Sequence, residues 1–418
     1  MHLPGAGDAA VKPPAAALLV ALGALVAACP LVRAEEPFVI ETISQTGPAW
    51  TGHTWGYTSP KLLYDGRRAY AVGLIGPDSS HSHIQVYWRD GTGWHAGARL
   101  EPVYQPSTLL LDGQGHINVF CTSAGLRAYH WRSAKPHDVM AFAEVPLPQP
   151  ELFRYGYLGV GTDGKQLALA GLDGGYNLWL AVKPSPEAPW GEAHQIATGK
   201  TGEPTGNIAA CYPVAMPAGD QVHIVYSVSP DGSVHNTYNQ VIYACFDTRQ
   251  QKVTRQDTIA ESTPGVMTYG LDALRAPDGT LYSLYFGHWY LYGAKPEGID
   301  ARRGIYLAVL PPGGAWRLNK VTESTGTAQL FRSPDGTLHV LESTSAGTRD
   351  HVSTDGGRGF GAAVPAWPGA GGFLYLVKAN SGSVTDGTVR GVQSAPNQAD
   401  DGKVRDYRLE YVQYHPSK

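Results

Sequence analysis

The sequence predicts an all-β chain, a seven-bladed β-propeller of four-stranded antiparallel blades closed by an N-terminal outer strand. Three observations lead there. A strand–turn–strand unit recurs about every fifty residues. No segment keeps a helical apolar period. The N-terminus carries a copy of a motif that otherwise ends a unit.

The repeated unit is an apolar strand, a tight turn containing Asp-Gly or a close variant, and a second strand. Turn aspartates fall at Asp65, Asp112, Asp163, Asp220, Asp278 and Asp335, in steps of 47, 51, 57, 58 and 57. A looser seventh copy runs from Phe373 through Gly382 and Gly387 to Val389. A third strand follows, as in His83–Trp88 and Gly304–Val309. A fourth is announced by an aromatic at Trp94, Trp190, Trp316 or Phe360. Four short strands in a unit of this length are the signature of a propeller blade. Ile196–Gly202, Ile259–Gly265 and Val321–Gly326 end three of the units, and Ile43-Ser-Gln-Thr-Gly47 is a fourth copy. Residues 37–44 are therefore expected as the outer strand of the last blade, which would remove an open edge.

The composition agrees. The chain has 418 residues, with 51 Gly, 31 Pro and 23 Tyr but only 16% charged residues, and a net charge of −4. Gly and Pro punctuate turns, and Tyr suits half-buried strands. The bland charge argues against a nucleic-acid partner. Residues 1–34 are expected as a signal peptide, with Val32-Arg33-Ala34 before a mature start at Glu35. Residues 35–418 then form a single propeller domain, secreted or periplasmic and acting as a monomer. Val26-Ala27-Ala28-Cys29 is the competing lipobox, which would anchor the chain through a lipid on Cys29 and is otherwise the one route to a membrane. Cys211 and Cys245 either pair in an oxidising compartment or, with Cys121, serve as small buried apolar residues.

In a propeller, first-to-second-strand turns lie on one face. Second-to-third connections and blade-to-blade connections lie on the other. The first set here consists of short Asp-Gly turns with little to bind with. The second set carries His53, Trp55, Tyr57, Tyr104, Gln105, Arg154, Tyr155, Tyr157, Asn207, Tyr212 and Tyr269 between blades. Within blades it carries Asp78, His81, His83, Asp173, Tyr176, His235, Asn236, Tyr238, His288, Trp289, Tyr290, Arg302, Arg303, Arg349, Asp350 and His351. Aromatic planes beside imidazole and guanidinium donors suit sugars, which offer apolar C–H faces and hydroxyl rims. His81-Ser82-His83 would place two imidazoles on one face of a strand. No third ligand is evident, so no cofactor is expected, though room is left for a structural metal ion.

Ser353-Thr-Asp355-Gly-Gly357-Arg-Gly-Phe360 is an Asp-box, with Gly359 where Thr is usual. On this motif and the repeats, the chain resembles the bacterial neuraminidase-repeat superfamily of secreted propellers. Leu111–Phe120 followed by Leu126–Ser133 resembles a unit of propeller polysaccharide lyases and rhamnosidase-like propellers. The resemblance implies action on, or binding to, uronate-containing polysaccharide or oligosaccharide, by β-elimination or glycoside hydrolysis. Those lyases carry His where this chain has Thr122-Ser123-Ala124, so His53, His81 or His83 would have to substitute. A sialidase would show an Arg-Ile-Pro start and several Asp-boxes, and this chain does not.

For an elimination, His53 and His83 are the candidate bases and Tyr157 and Tyr212 the candidate acids. Trp55, Arg154, Tyr155, Tyr269, His288 and Trp289 would bind substrate, Arg154 neutralising the uronate carboxylate. A hydrolase would need a carboxylate pair, for which Asp78 and Asp173 are candidates. The competing class is a non-catalytic glycan- or protein-binding propeller.

Overall fold

The computed structural model describes residues 37–45, 47, 58–77, 81–103, 107–123, 127–154, 158–198, 209–229, 238–263, 266–290, 299–324, 326–369, 373–398 and 404–416. They form seven four-stranded antiparallel sheets. From the axis outward, blade one is β2 (Leu62–Tyr64), β3 (Ala69–Ile75), β4 (His83–Asp90) and β5 (Gly93–Leu100). Blade two is β6 (Thr108–Leu111), β7 (Ile117–Thr122), β8 (Ala128–Ser133) and β9 (Phe142–Glu144). Blade three is β10 (Gly159–Thr162), β11 (Leu167–Leu172), β12 (Leu178–Lys183) and β13 (His194–Ala197). Blade four is β14 (Ala209–Ala218), β15 (Gln221–Ser229), β16 (Gln240–Asp247) and β17 (Lys252–Glu261). Blade five is β18 (Val266–Arg275), β19 (Leu281–Tyr290), β20 (Gly304–Leu310) and β21 (Arg317–Thr322). Blade six is β22 (Thr327–Arg332), β23 (Leu338–Thr344), β24 (Gly347–Ser353) and β25 (Val364–Pro368). Blade seven is β26 (Leu374–Leu376), β27 (Val389–Gln398), β28 (Val404–Tyr414) and, outermost, β1 (Phe38–Ser44). The predicted closure is thus observed, with Phe38 opposite Tyr414 and Ser44 opposite Leu409.

The turn chemistry is the expected one. Asp65 Oδ1 accepts the N–H groups of Arg67 (2.8 Å) and Arg68 (2.7 Å), and Gly66 takes a φ of 95° that a side chain would resist. Blade four reverses the pair, with Gly219 rather than Asp220 at the positive φ. In blade seven the turn aspartate is Asp386, which accepts the Thr388 N–H. It follows β26 at a distance because residues 377–385 leave the blade and enter the channel, which explains the looseness of this copy in sequence. Around Ser353–Phe360, the Gly357 N–H donates to Ser353 Oγ, and the Arg358 and Gly359 N–H groups donate to Asp355. One four-residue helix, α1 (Ile299–Arg302), departs from the helix-free expectation. Among the described residues no helix is long and apolar enough to cross a membrane.

The central channel is filled from both ends. Before β2, Thr58 Oγ1 donates to the Pro213 carbonyl in blade four and Ser59 Oγ to the Leu158 carbonyl beside blade three. The Pro60 carbonyl accepts from Leu109 in blade two. At the other end, Lys378 makes a buried ion pair with Asp272 of blade five, and Val384 donates to the Tyr64 carbonyl of blade one. Between them Gly382 lies so close to the Leu111 carbonyl that a Cβ would sit 1.8 Å from it, so only glycine fits.

Lys61 is fully buried, donates to the Ser107 carbonyl at 2.5 Å, and has no carboxylate partner among the described residues. Burial pushes its pKa down to about 7. The unfolded chain keeps this proton up to about pH 10.5, whereas the folded chain releases it near 7. Stability should therefore rise with pH through that window, by about 1.4 kcal/mol per unit. Urea midpoints across the window check it: Lys61→Met should remove the slope, and an unchanged slope would assign it to another group.

Of the two readings of the cysteines, the small buried apolar one holds for Cys245 and Cys121. Cys245 is a free, buried thiol opposite His223, near the Asp-Gly end of its blade. Cys211 sits opposite Ser227, toward the other end. Cys121 is also free and buried.

Candidate functional site

Among the described residues, the face opposite the Asp-Gly turns gathers aromatic side chains in blades three, four and five. Tyr212, Tyr238, Tyr269 and Phe286 belong to one apolar cluster, with Tyr176 and Trp289 packed against it. Tyr212 meets Tyr238 edge-on at 5.7 Å, Tyr269 lies 5.8 Å from Phe286, and Phe286 meets Trp289 edge-on at 5.4 Å. Tyr212 and Tyr269 are only 8% and 7% exposed, so most of each ring is packed into the wall of the site.

Two β-bulges shape this wall. In blade four, Cys211 pairs with Ser227 and Val214 with Val225, so Tyr212 and Pro213 together face Tyr226. In blade five, Met267 pairs with Trp289 and Tyr269 with Phe286, so Gly287 and His288 face Thr268. Bulges re-aim side chains. Here they hold Tyr212 at a φ of 53° and His288 at 57°, and Tyr176 takes 60° in the β11–β12 turn. Left-handed backbone at residues other than glycine costs about 1–3 kcal/mol each and concentrates at functional sites. The His288 N–H donates to Thr268 Oγ1. Burial, and then the Arg302 charge, lower the His288 pKa, leaving a neutral imidazole at pH 7.

Arg154 belongs to the same face. Its N–H donates to the Leu172 carbonyl at 2.6 Å, and its guanidinium lies over Gly174, where a Cβ would come within 2.1 Å of Nη1. Asp173, expected as a hydrolytic carboxylate, is instead committed to its own turn. Oδ1 accepts from the Gly175 and Asn177 N–H groups, and Oδ2 from Asn177 Nδ2 and Trp179 Nε1. Burial opposes its ionisation, but these hydrogen bonds outweigh burial and hold it below the usual carboxylate range.

Other candidates separate from this group. His83 begins the third strand of blade one, three blades from Tyr212, where burial, Arg99 and Glu101 set its environment. Its pKa is lowered, burial being the largest cause. Asp350 and His351 are not surface groups: they form buried pairs with His339 (2.9 Å) and Glu342 (2.8 Å) inside blade six. The expected His53, Trp55, Tyr155 and Tyr157 lie outside the described residues, as do Tyr57, Asp78, Tyr104, Gln105 and Asn207. No group of three or more metal-ligating side chains occurs among the described residues. The bulge at Tyr212 has no sequence signal, because no glycine marks it, whereas Gly287 stands beside His288 in the other.

The Asp-Gly face is not featureless, contrary to the expectation from its short turns. A cavity of about 310 Å³ opens there beside blades five, six and seven, and one of about 400 Å³ between blades four and five.

No protein-family model and no curated protein matches this chain. Solved structures do. A polysaccharide lyase of family 25, an ulvan lyase bound to -[GlcA(1-4)Rha3S]-, aligns with a TM-score of 0.64 and 12% identity, over 88% of this chain and 94% of its own. A second structure of that lyase aligns at 0.63, with the same identity and coverage. An α-L-arabinanase from Penicillium chrysogenum aligns at only 0.46, with 12% identity over 89% of this chain and 98% of its own. At such identity the likeness is one of fold, and the solved neighbours of this propeller include carbohydrate-active enzymes.

Proposed function

We propose that this protein is an extracytoplasmic, carbohydrate-active propeller that cleaves uronate-containing polysaccharide by β-elimination. The observation that carries this reading is the wall of blades three to five, where strained Tyr212 and His288 stand on aromatic packing on the same face as Arg154 and Arg302. Elimination needs a cation at the uronate carboxylate, a base for the C5 proton and an acid for the leaving oxygen. Arg154 supplies the cation. His53 is the base inferred from sequence, and neutral His288 is the described imidazole suited to the same task. Tyr157 or Tyr212 returns a proton to the oxygen as the C4–O bond breaks and the C4–C5 double bond forms. The engagement of Asp173 in its turn argues against hydrolysis through that residue. The fold likeness to an ulvan lyase supports the same reaction class.

The filled channel favours a second reading, a glycan-binding propeller without turnover. A polyuronate panel, followed by ultraviolet absorbance of the unsaturated product, separates the two. Turnover should be lost in His53→Ala or His288→Ala with binding retained, and Arg154→Lys should weaken binding by about tenfold or more, because Lys loses the planar two-pronged contact. Glycan binding without any unsaturated product would sink the lyase reading.

A further inference from the structure

A cavity of about 500 Å³ lies between β13, the outer strand of blade three, and β15–β17 of blade four. None of the described residues that line it is charged. Val228 and Ile242 supply an apolar wall, and Gln195, Gln240, Gln256 and Tyr226 supply amides and a hydroxyl. Gln240 lies opposite Val228, and Ile242 opposite Tyr226, so these four share the face of blade four turned toward blade three. β15 ends and β16 begins on the face that bears Tyr212, which brings Val228 and Gln240 to that face. Tyr226 is 1% exposed. Its hydroxyl accepts from Gln256 Nε2 at 3.1 Å, and no described group accepts its own proton. Burial raises its pKa, so that proton stays on the oxygen. Gln195 Nε2 donates at 3.3 Å to Oδ1 of Asn177, in the turn that carries Asp173 and places Gly174 beneath Arg154. Gln240 Nε2 donates at 2.8 Å to the Glu261 carboxylate, which puts negative charge at the cavity edge.

A side-chain amide that has given one N–H still holds a second N–H and an acceptor oxygen, and so matches a hydroxyl, which both donates and accepts. Apolar side chains take the C–H face of a sugar ring, and the volume is that of an ordinary ligand pocket. A carboxylate or a sulfate ester would meet no described cation here and would face Glu261, so a charged unit is strongly disfavoured. We propose that this cavity is a subsite for an uncharged sugar unit of the glycan chain whose uronate lies at Arg154. Tyr226 donates to an oxygen of that unit, the three amides bond its hydroxyls, and Val228 and Ile242 cover its C–H face. The substrate is then a polysaccharide in which uronates are flanked by neutral sugars, rather than an unbroken polyuronate. The link to Arg154 rests on the uronate reading above, whereas the uncharged subsite stands apart from it.

Titration of the whole protein with glucose, galactose, mannose, xylose, rhamnose and glucuronate, followed by saturation-transfer NMR, tests it. At least one neutral sugar should bind. Tyr226→Phe should weaken that binding by about fivefold, through loss of one hydrogen bond. Gln256→Trp should abolish it by filling the cavity from an exposed strand position, where folding is not at stake. Arg154→Lys should leave it unchanged. Glucuronate should show the reverse pattern, sensitive to Arg154→Lys and indifferent to Tyr226→Phe and Gln256→Trp. Absence of neutral-sugar binding, or undiminished binding in both cavity variants, would overturn the subsite, and so would glucuronate binding that Gln256→Trp abolishes. On a cleaved glycan of alternating uronate and neutral sugar, Gln256→Trp should raise KM by about fivefold or more, and an unchanged KM would overturn the link to Arg154. If no glycan is cleaved, the elimination reading fails, and the titration still decides the subsite.

Discussion

A chain lacking Phe38–Ser44 should lose cooperative folding or unfold at a much lower urea concentration. β1 pairs with β28 from Phe38–Tyr414 to Ser44–Leu409, and each backbone hydrogen bond contributes roughly 0.5–1.5 kcal/mol net. Losing the ladder costs several kcal/mol of a total stability that is commonly about 5–15 kcal/mol. β1 also joins blade seven to blade one. Arg89 of β4 grips the Glu41 carboxylate with two hydrogen bonds, at 2.7 and 2.6 Å, and its guanidinium stands 5.6 Å from the Tyr411 ring centre. Ile43 packs into the apolar cluster between blades seven and one, and Phe38 into the one between blades six and seven. The shortened chain would also present β28 as an open edge, so association on a sizing column should accompany the loss. An unchanged urea midpoint would refute velcro closure as a source of stability.

The second large effect belongs to the ion pair inside the channel. Asp272→Asn leaves the Lys378 ammonium buried without its counter-charge, and Lys378→Met leaves the Asp272 carboxylate likewise; each should cost about 3–5 kcal/mol. The double variant removes both charges. Asn at 272 can still accept the Leu330 N–H, which Asp272 now takes at 2.8 Å. The double variant should therefore recover most of the loss, and a double-mutant cycle in urea measures the coupling. If the two single losses simply add, the pair is not the element that pins the 377–384 segment.

The propeller was legible in the sequence because its cause is local and repeated. An Asp-Gly turn such as Asp65-Gly66 needs one carboxylate for two backbone N–H groups and one residue free to take positive φ, and both requirements appear as letters at a fixed spacing. Closure was legible for the same reason, since Ile43–Gly47 repeats the tail of other units. The division of loops between two faces follows from strand alternation alone, and it placed Arg154, Tyr212, Tyr269, His288 and Trp289 on one face.

The rest was decided by contacts between blades, which leave no periodic trace. Sequence spacing could not show that Asp173 spends its oxygens on Asn177 and Trp179, or that Asp350 and His351 turn inward to His339 and Glu342. Nor could it show that His83 stands three blades from Tyr212 or that residues 58–61 and 377–384 fill the channel. The sequence by itself determined the blades, their number and their closure, because turn chemistry and strand alternation act between near neighbours. Only the tertiary structure decided which charged and aromatic side chains meet, because that depends on where seven separate strand ends converge around an axis and on which of their polar groups find partners there.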